Sequence, residues 1–356
     1  MNTPKLRLRL GQVNIGIWLL LSISVLSFKK EIEMSFSGIS SVYIISGFIV
    51  GSIIIQLPFD IIGAQKLYSH GQKNNKWITQ WFRGIISITT CWSLLSFLIF
   101  LLQPKLGFCL PILIAMILVI NFQKKLTIFV NADKYNYCDL QNFKGQSISL
   151  NCSERTFTGG LFFGFGNNSQ IIPDSWSGFP YLEIECFRRS VIIKNKFVTR
   201  ALFFLIFWNL LGVLIGETQG LYYSDNIGIS IVCLSCWMTI WSFFALILMP
   251  KFSHSTVYYV DFLSNKYDSD KLKGWIKKFS ELIDESDNKN RLVQSIFYPI
   301  PSANDRINAL KSASSFCFGN ISRQNLFLSW GVFNLSCRGV HCNIGRPVLW
   351  IFPPSA

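Results

Sequence analysis

Long unbroken apolar runs alternate with shorter polar segments along this chain. Six runs contain no Lys or Arg: residues 12–28, 39–62, 84–102, 106–122, 201–216 and 227–249. A helix that crosses a bilayer core needs about 20 apolar residues, with about 17 as the lower limit. Each run therefore predicts a membrane span. The fifth has 16 residues and reaches full length by borrowing residues 197–199. Lys5, Arg7 and Arg9 precede the first run, as they would a signal peptide. That run is too long for a typical signal core and no A-x-A-like site follows Phe28, so it reads as a retained helix.

The polar segments carry other periods. Residues 126–150 read as a mixed, strand-like stretch. Glycines flanked by aromatic and β-branched residues then predict a β-hairpin, with its turn at residues 166–169. It reads first as a plain structural hairpin; an exposed strand in it would suit pairing with an extended peptide. From Phe179 the pattern becomes helical. Pro180 starts the helix, and Glu183 and Glu185 suit its first turn. Arg188, Arg189, Lys194 and Lys196 follow, where anionic headgroups would sit. After the last span, residues 253–265 read as a further helix. Asp268 and Asp270 then open another, whose Leu272, Trp275, Ile276, Phe279, Leu282 and Ile283 recur at helical spacing. That apolar face suits packing on the cytoplasmic domain first, and would also suit a membrane surface. Ser302 followed by Asp305 resembles a capping box and predicts a helix over residues 303–312.

Composition agrees with the spans. Half the residues are hydrophobic, 15% are charged and mean hydropathy is +0.37, against about 25% charged in an ordinary soluble domain. Disordered, fibrous and single-globule readings are excluded. Of the 33 Lys and Arg residues, 30 lie in the N-terminal tail and in residues 63–83, 123–200 and 250–356. Basic loops are cytoplasmic, which places both termini and both long polar segments in the cytoplasm, in an inner or plasma membrane. The net charge of +14 then follows from this bias. It does not indicate nucleic acid, which needs a basic patch interleaved with exposed aromatics.

The predicted fold class is mainly α: a six-span helical membrane protein with a small α+β cytoplasmic domain. Residues 1–122 form a four-helix transmembrane region, and 201–249 a transmembrane hairpin. Residues 123–200 and 250–356 are two cytoplasmic segments that build one domain around that hairpin. The ten cysteines predict no disulfide framework, because Cys91, Cys109, Cys233 and Cys236 lie in spans and the rest on the reducing side. Cys337, His341 and Cys342 lack the fourth ligand that structural zinc wants. Asp60 and Asn209 are the polar residues nearest the membrane interior, where such groups are functional candidates. No G-x-S-x-G elbow, P-loop or dinucleotide fingerprint is present.

The order of these parts resembles the membrane-embedded zinc metallopeptidases of the HtpX and CAAX prenyl endopeptidase type (peptidase family M-48). The likeness runs over about residues 150–312 as a succession of short motifs. A Gly-rich hairpin, here residues 159–172, borders the substrate groove in that family. A Pro-rich turn and an Arg-Ile helix appear as Pro299, Pro301, Ser302, Arg306, Ile307 and Leu310, and Pro58, Phe59 and Asp60 look like an element that follows the early spans in some relatives. The family's chemistry depends on H-E-x-x-H, with two zinc-binding His and a general-base Glu. The matching stretch here is Ile184-Glu185-Cys186-Phe187-Arg188. It keeps the Glu and replaces both ligands. The third ligand, a Glu four residues before an Asp, corresponds to Val257 before Asp261.

The resemblance thus implies a degenerate site, with Glu185 as a vestigial general base and no metal ligands. Binding would fall to Gly159, Gly160, Arg188, Asp261 and Arg306. No cofactor is expected, and zinc only if the site were active. The implied partners are the lipid bilayer and an extended peptide or membrane protein. Two other readings stay open: an active membrane peptidase using Glu185 and Cys186, and an unrelated transporter or scaffold. If the resemblance holds, Arg188 would also stand close to Asp261 or Glu185 and pair with it in place of the metal, because a buried guanidinium needs a carboxylate.

Overall fold

The computed structural model describes residues 3–68, 74–131, 135–138, 140, 143, 145–152, 157–162, 169–283, 290–298, 300–311, 319–321 and 343–350. Among them, six helical stretches are long and apolar enough to cross a membrane: Lys5–Ser27, Ser41–Ala64, Lys76–Leu106, Cys109–Asn131, Phe197–Thr218 and Ile227–Leu248. The chain is a multi-pass membrane protein. It divides into two compact units.

The first unit comprises residues 1–122, 205–244 and 328–351. It holds α1 (Thr3–Ser27), α2 (Lys29–Phe36), α3 (Ser41–Tyr68), α4 (Asn74–Leu106) and the start of α5 (Cys109–Asn131), with parts of α7 (Phe197–Thr218) and α8 (Ile227–Tyr267). Residues 29–38 read from sequence as a loop, but most of them form α2. Its Lys29 and Glu33 pair across one turn at 3.9 Å.

In an apolar medium every buried polar group needs a partner, and tryptophans supply many here. Trp18 donates to Gln56 at 3.0 Å, and Trp81 donates to the buried Asp60 at 3.0 Å. These bonds link α1, α3 and α4. Between α7 and α8, Gly212 leaves room for Trp241. Trp237 then donates to the Gly212 carbonyl at 2.7 Å, and Trp241 to the Trp208 carbonyl at 2.9 Å. Buried Asn209 spends its amide on the Leu205 carbonyl one turn back, at 2.8 Å. The short turn at residues 343–350 packs on α3 and α4: Trp77 donates to the Gly345 carbonyl at 2.9 Å, and Trp350 lies against Gly84.

The second unit comprises residues 123–204, 245–327 and 352–356. Its sheet has the order β1-β2-β4-β3, from β1 (Tyr135–Cys138), β2 (Gln146–Leu150), β3 (Gly160–Phe162) and β4 (Ser169–Pro173). β1–β2 and β3–β4 are antiparallel, and β2–β4 is parallel. The strand-like reading of residues 126–150 is corrected in part. Residues 126–131 complete α5, where Thr127 and Asn131 bond back to the carbonyls of Gln123 and Thr127. The Gly-rich hairpin forms as β3 and β4, and the turn residues 163–168 lie outside the described residues.

α6 (Leu182–Lys194), α9 (Ser269–Leu282), α10 (Arg291–Phe297) and α11 (Ala303–Lys311) complete the unit with the end of α8. The helix expected at 253–265 is no separate element. It continues α8 through Pro250 without a break, since a proline removes one ladder donor and flanking packing can hold the helix through it. α9 packs as its period predicts: Leu272, Trp275, Ile276 and Phe279 are buried in one cluster with Ile172, Trp176, Ile184, Val257, Ile300 and Ala303. Its N-cap is Asp268, which accepts from the Lys271 N–H at 2.9 Å. At α11, Ser302 Oγ accepts from the Asp305 N–H at 3.2 Å, but the Ser302 N–H turns to Gln294. Only half of a reciprocal capping box is present.

Candidate functional site

α6 begins just after Pro180, and its first turn carries Glu183 and Glu185. Four residues make one helical turn, so Glu185, Arg188 and Arg189 share a face. All three are fully buried. Glu185 accepts from Arg188 Nη1 at 3.0 Å through one oxygen and from Arg189 Nε at 2.8 Å through the other.

The two arginines then diverge. Arg189 turns to the sheet. Its Nη1 donates to Gln170 Oε1 at 3.2 Å and to the Ile171 carbonyl at 3.0 Å, and its Nη2 to the Thr158 carbonyl at 2.9 Å. Arg188 turns to α8, with Nη2 3.0 Å from Asp261 Oδ1. Arg306 of α11 grips the same carboxylate in a fork, Nε to Oδ2 at 2.7 Å and Nη2 to Oδ1 at 2.9 Å. Bidentate guanidinium–carboxylate pairs are the stronger kind. Five buried charges therefore join α6, α8, α11 and the sheet.

Burial changes the neighbouring chemistry. The Cys186 thiol is pushed above its ordinary value by desolvation, and the Arg189 charge opposes that rise. Gln170 donates to its sulfur at 3.6 Å. Desolvation likewise pushes the Tyr258 hydroxyl up to about 12.

Gly159 and Gly160 lie where β3 begins. Gly159 has φ +68 and any Cβ there would collide with the Ile171 carbonyl, so no other residue fits without strain. β3 is buried throughout, which agrees with a structural hairpin and removes the reading of it as an exposed strand. The exposed edge of the sheet is β1, where Tyr135, Asn136 and Tyr137 face out.

The structure thus brings Glu185, Arg188, Asp261 and Arg306 into one network and leaves Gly159 and Gly160 on the hairpin. Two sequence expectations change. Arg188 and Arg189 do not stand among headgroups, whereas Lys194 and Lys196 are exposed. Arg189 was missed as a structural clamp, although its position four residues after Glu185 was a usable signal. The Cys337, His341 and Cys342 group lies outside the described residues.

A catalytic zinc needs three protein ligands and an open position. The positions that the resemblance assigns to ligands hold Ile184, Arg188 and Val257. Ile184 and Val257 sit in the hydrophobic cluster around Trp275, and Arg188 brings a positive charge. The remaining carboxylate, Glu185, has both oxygens occupied by guanidinium donors. These residues do not fit the metal. Among the described residues, no group of three or more His, Cys, Asp or Glu side chains could hold one. Neither a scan against protein-family models nor a search of curated proteins finds a match to this chain.

Proposed function

We propose that this membrane protein has the architecture of an M-48-type metallopeptidase in which an ion-pair network stands where zinc would be bound, and that it works by binding rather than hydrolysis. The observation that carries the reading is Arg188, which touches Glu185 and Asp261 at 3.0 Å each. On this reading the network does the mechanical work of a metal: it fixes the helix of the degenerate motif to the helix that follows the last span. A charge pair of this kind has no Lewis acidity and no open coordination position. The unit that carries it would lie in the cytoplasm. Its partner would be an extended peptide or a membrane protein, and β1 supports the first of these because it is an exposed edge able to add a strand.

The test is metal analysis of the full chain purified in detergent, with a peptide-cleavage assay on the same sample. The expected result is no stoichiometric zinc and no cleavage. One tightly bound zinc per chain that disappears in Glu185→Gln would overturn the proposal.

A further inference from the structure

The first unit contains a cavity of about 460 Å³ that the ion network does not explain. Its walls come from the last turn of α1, from α2, and from the first turns of α3 and α8, and include Val25, Ile32, Phe36, Gly47, Phe48 and Val232. That size is within the usual range of ligand pockets, about 300–1,000 Å³. It differs from most of them in having no charged side chain in its lining.

Three features identify what fills it. The lining residues of α1, α3 and α8 all lie near the ends of membrane-crossing stretches, so the cavity sits at the level where lipid headgroups meet acyl chains. Its mouth is apolar and open: Phe36, Ile39 and Tyr43 line it and are exposed. It continues a lipid-facing surface, because α3 has only 6% of its span buried and shows Val42, Val50 and Ile54 on its outside.

The geometry points to a binding site for one acyl chain of a zwitterionic phospholipid. α2 forms the headgroup side. Lys29, Ile32 and Phe36 fall on one face at spacings of three and four residues. The apolar pair lines the cavity, and Lys29 stands one turn before it. α2 also carries Lys30, Glu31 and Glu33. Lys29 and Glu33 pair with each other at 3.9 Å, so exposed Lys30 and Glu31 remain, one cation and one anion for a headgroup with one phosphate and one ammonium. Gly47 lines the cavity and faces open space, since a Cβ there would meet nothing within 4 Å.

The full chain should be reconstituted in phosphatidylcholine vesicles carrying a trace of the same lipid with a photoactivatable group on its acyl chain. Cross-links should map to peptides containing Val25, Phe48 and Val232. Gly47→Trp fills the space and should lower that labelling about tenfold, the effect of losing a few buried methylenes. Labelling at Phe97 and Phe100 of α4, on the open lipid face, should not change. Val232→Phe, from the opposite wall, should do the same and serves if Gly47→Trp does not fold. Equal labelling in wild type and both variants would overturn the site and leave only ordinary boundary lipid. Retention of a sterol or an isoprenoid by the purified chain, with phospholipid absent, would also overturn it.

Discussion

Arg188 shows how a single residue can hold two helices together. Taking charges out of water costs several kcal/mol per ion, and removing one member of a buried pair costs about 3–5 kcal/mol. Arg188→Ala should fall near the low end, about 3 kcal/mol. The carboxylates it abandons keep other guanidiniums, Glu185 that of Arg189 and Asp261 that of Arg306. Asp261→Asn should cost more, because it strips the counter-charge from two arginines at once. Lys194→Ala, at an exposed position, should change stability by under about 0.5 kcal/mol. Chemical unfolding in detergent, followed by tryptophan fluorescence, reads all three. The order reversed would mean the network is exposed in solution. Cys186 offers a second check. With its pKa raised, the folded state favours the protonated thiol; that contribution to stability is complete below the ordinary value of 9.0 and is lost as pH rises through the folded value. An alkylating reagent at pH 8 should therefore modify Cys186 only after unfolding. Modification at the rate of a free thiol in the native chain would contradict its burial.

At the scale of elements, α9 is where local pattern and tertiary packing agree most closely. Its apolar residues were visible as a helical stripe, and the same residues fill the core of the second unit. Trp275→Ala should cost about 3–5 kcal/mol, the usual range for removing a large buried aromatic. Asp268→Ala, which removes only the cap, should cost about 1 kcal/mol. Thermal unfolding of the two variants should separate them clearly, and equal losses would mean that α9 is not anchored by its tryptophan. α8 teaches the opposite lesson. The sequence separates a run ending at residue 249 from a helix over residues 253–265, yet one helix runs through Pro250 for 41 residues in all. The chain beyond the proline buries Val257, Val260, Asp261 and Ser264, and that packing outweighs one lost ladder bond. Residues 29–38 differ in the other direction: these ten residues between two spans are short and charged, but Ile32 and Phe36 give α2 an apolar side.

For the whole molecule, the distribution of basic residues predicts both termini on one side and the loop at Asp225 on the other. Reporter fusions at Asp225 and at the C-terminal end should give opposite signals. The same signal from both would end the six-span arrangement in that orientation, and with it the cytoplasmic placement of the second unit. The two units also differ in how they satisfy buried polar groups. The first relies on tryptophan N–H groups donated to carbonyl and side-chain oxygens. The second relies on guanidinium groups.

Apolar runs of span length determined the membrane class and the number of crossings, because lipid imposes a requirement that acts on each segment alone. The stripe on α9 and the Gly-rich hairpin were legible for the same reason: a period of 3.6 or 2 is a property of neighbouring residues. Within the site, Glu185 and Arg188 were already one turn apart in the sequence, so half the ion network could be foreseen. The other half depended on Asp261 and Arg306, which are 45 residues apart and meet only because α8 and α11 pack together. Tertiary structure alone decided that Arg189 clamps the sheet, that β3 is buried while β1 is exposed, and that three helices and α2 enclose a cavity. Each is settled by which surfaces lose water to one another, and desolvation depends on the neighbours brought in by the fold rather than on those adjacent along the chain.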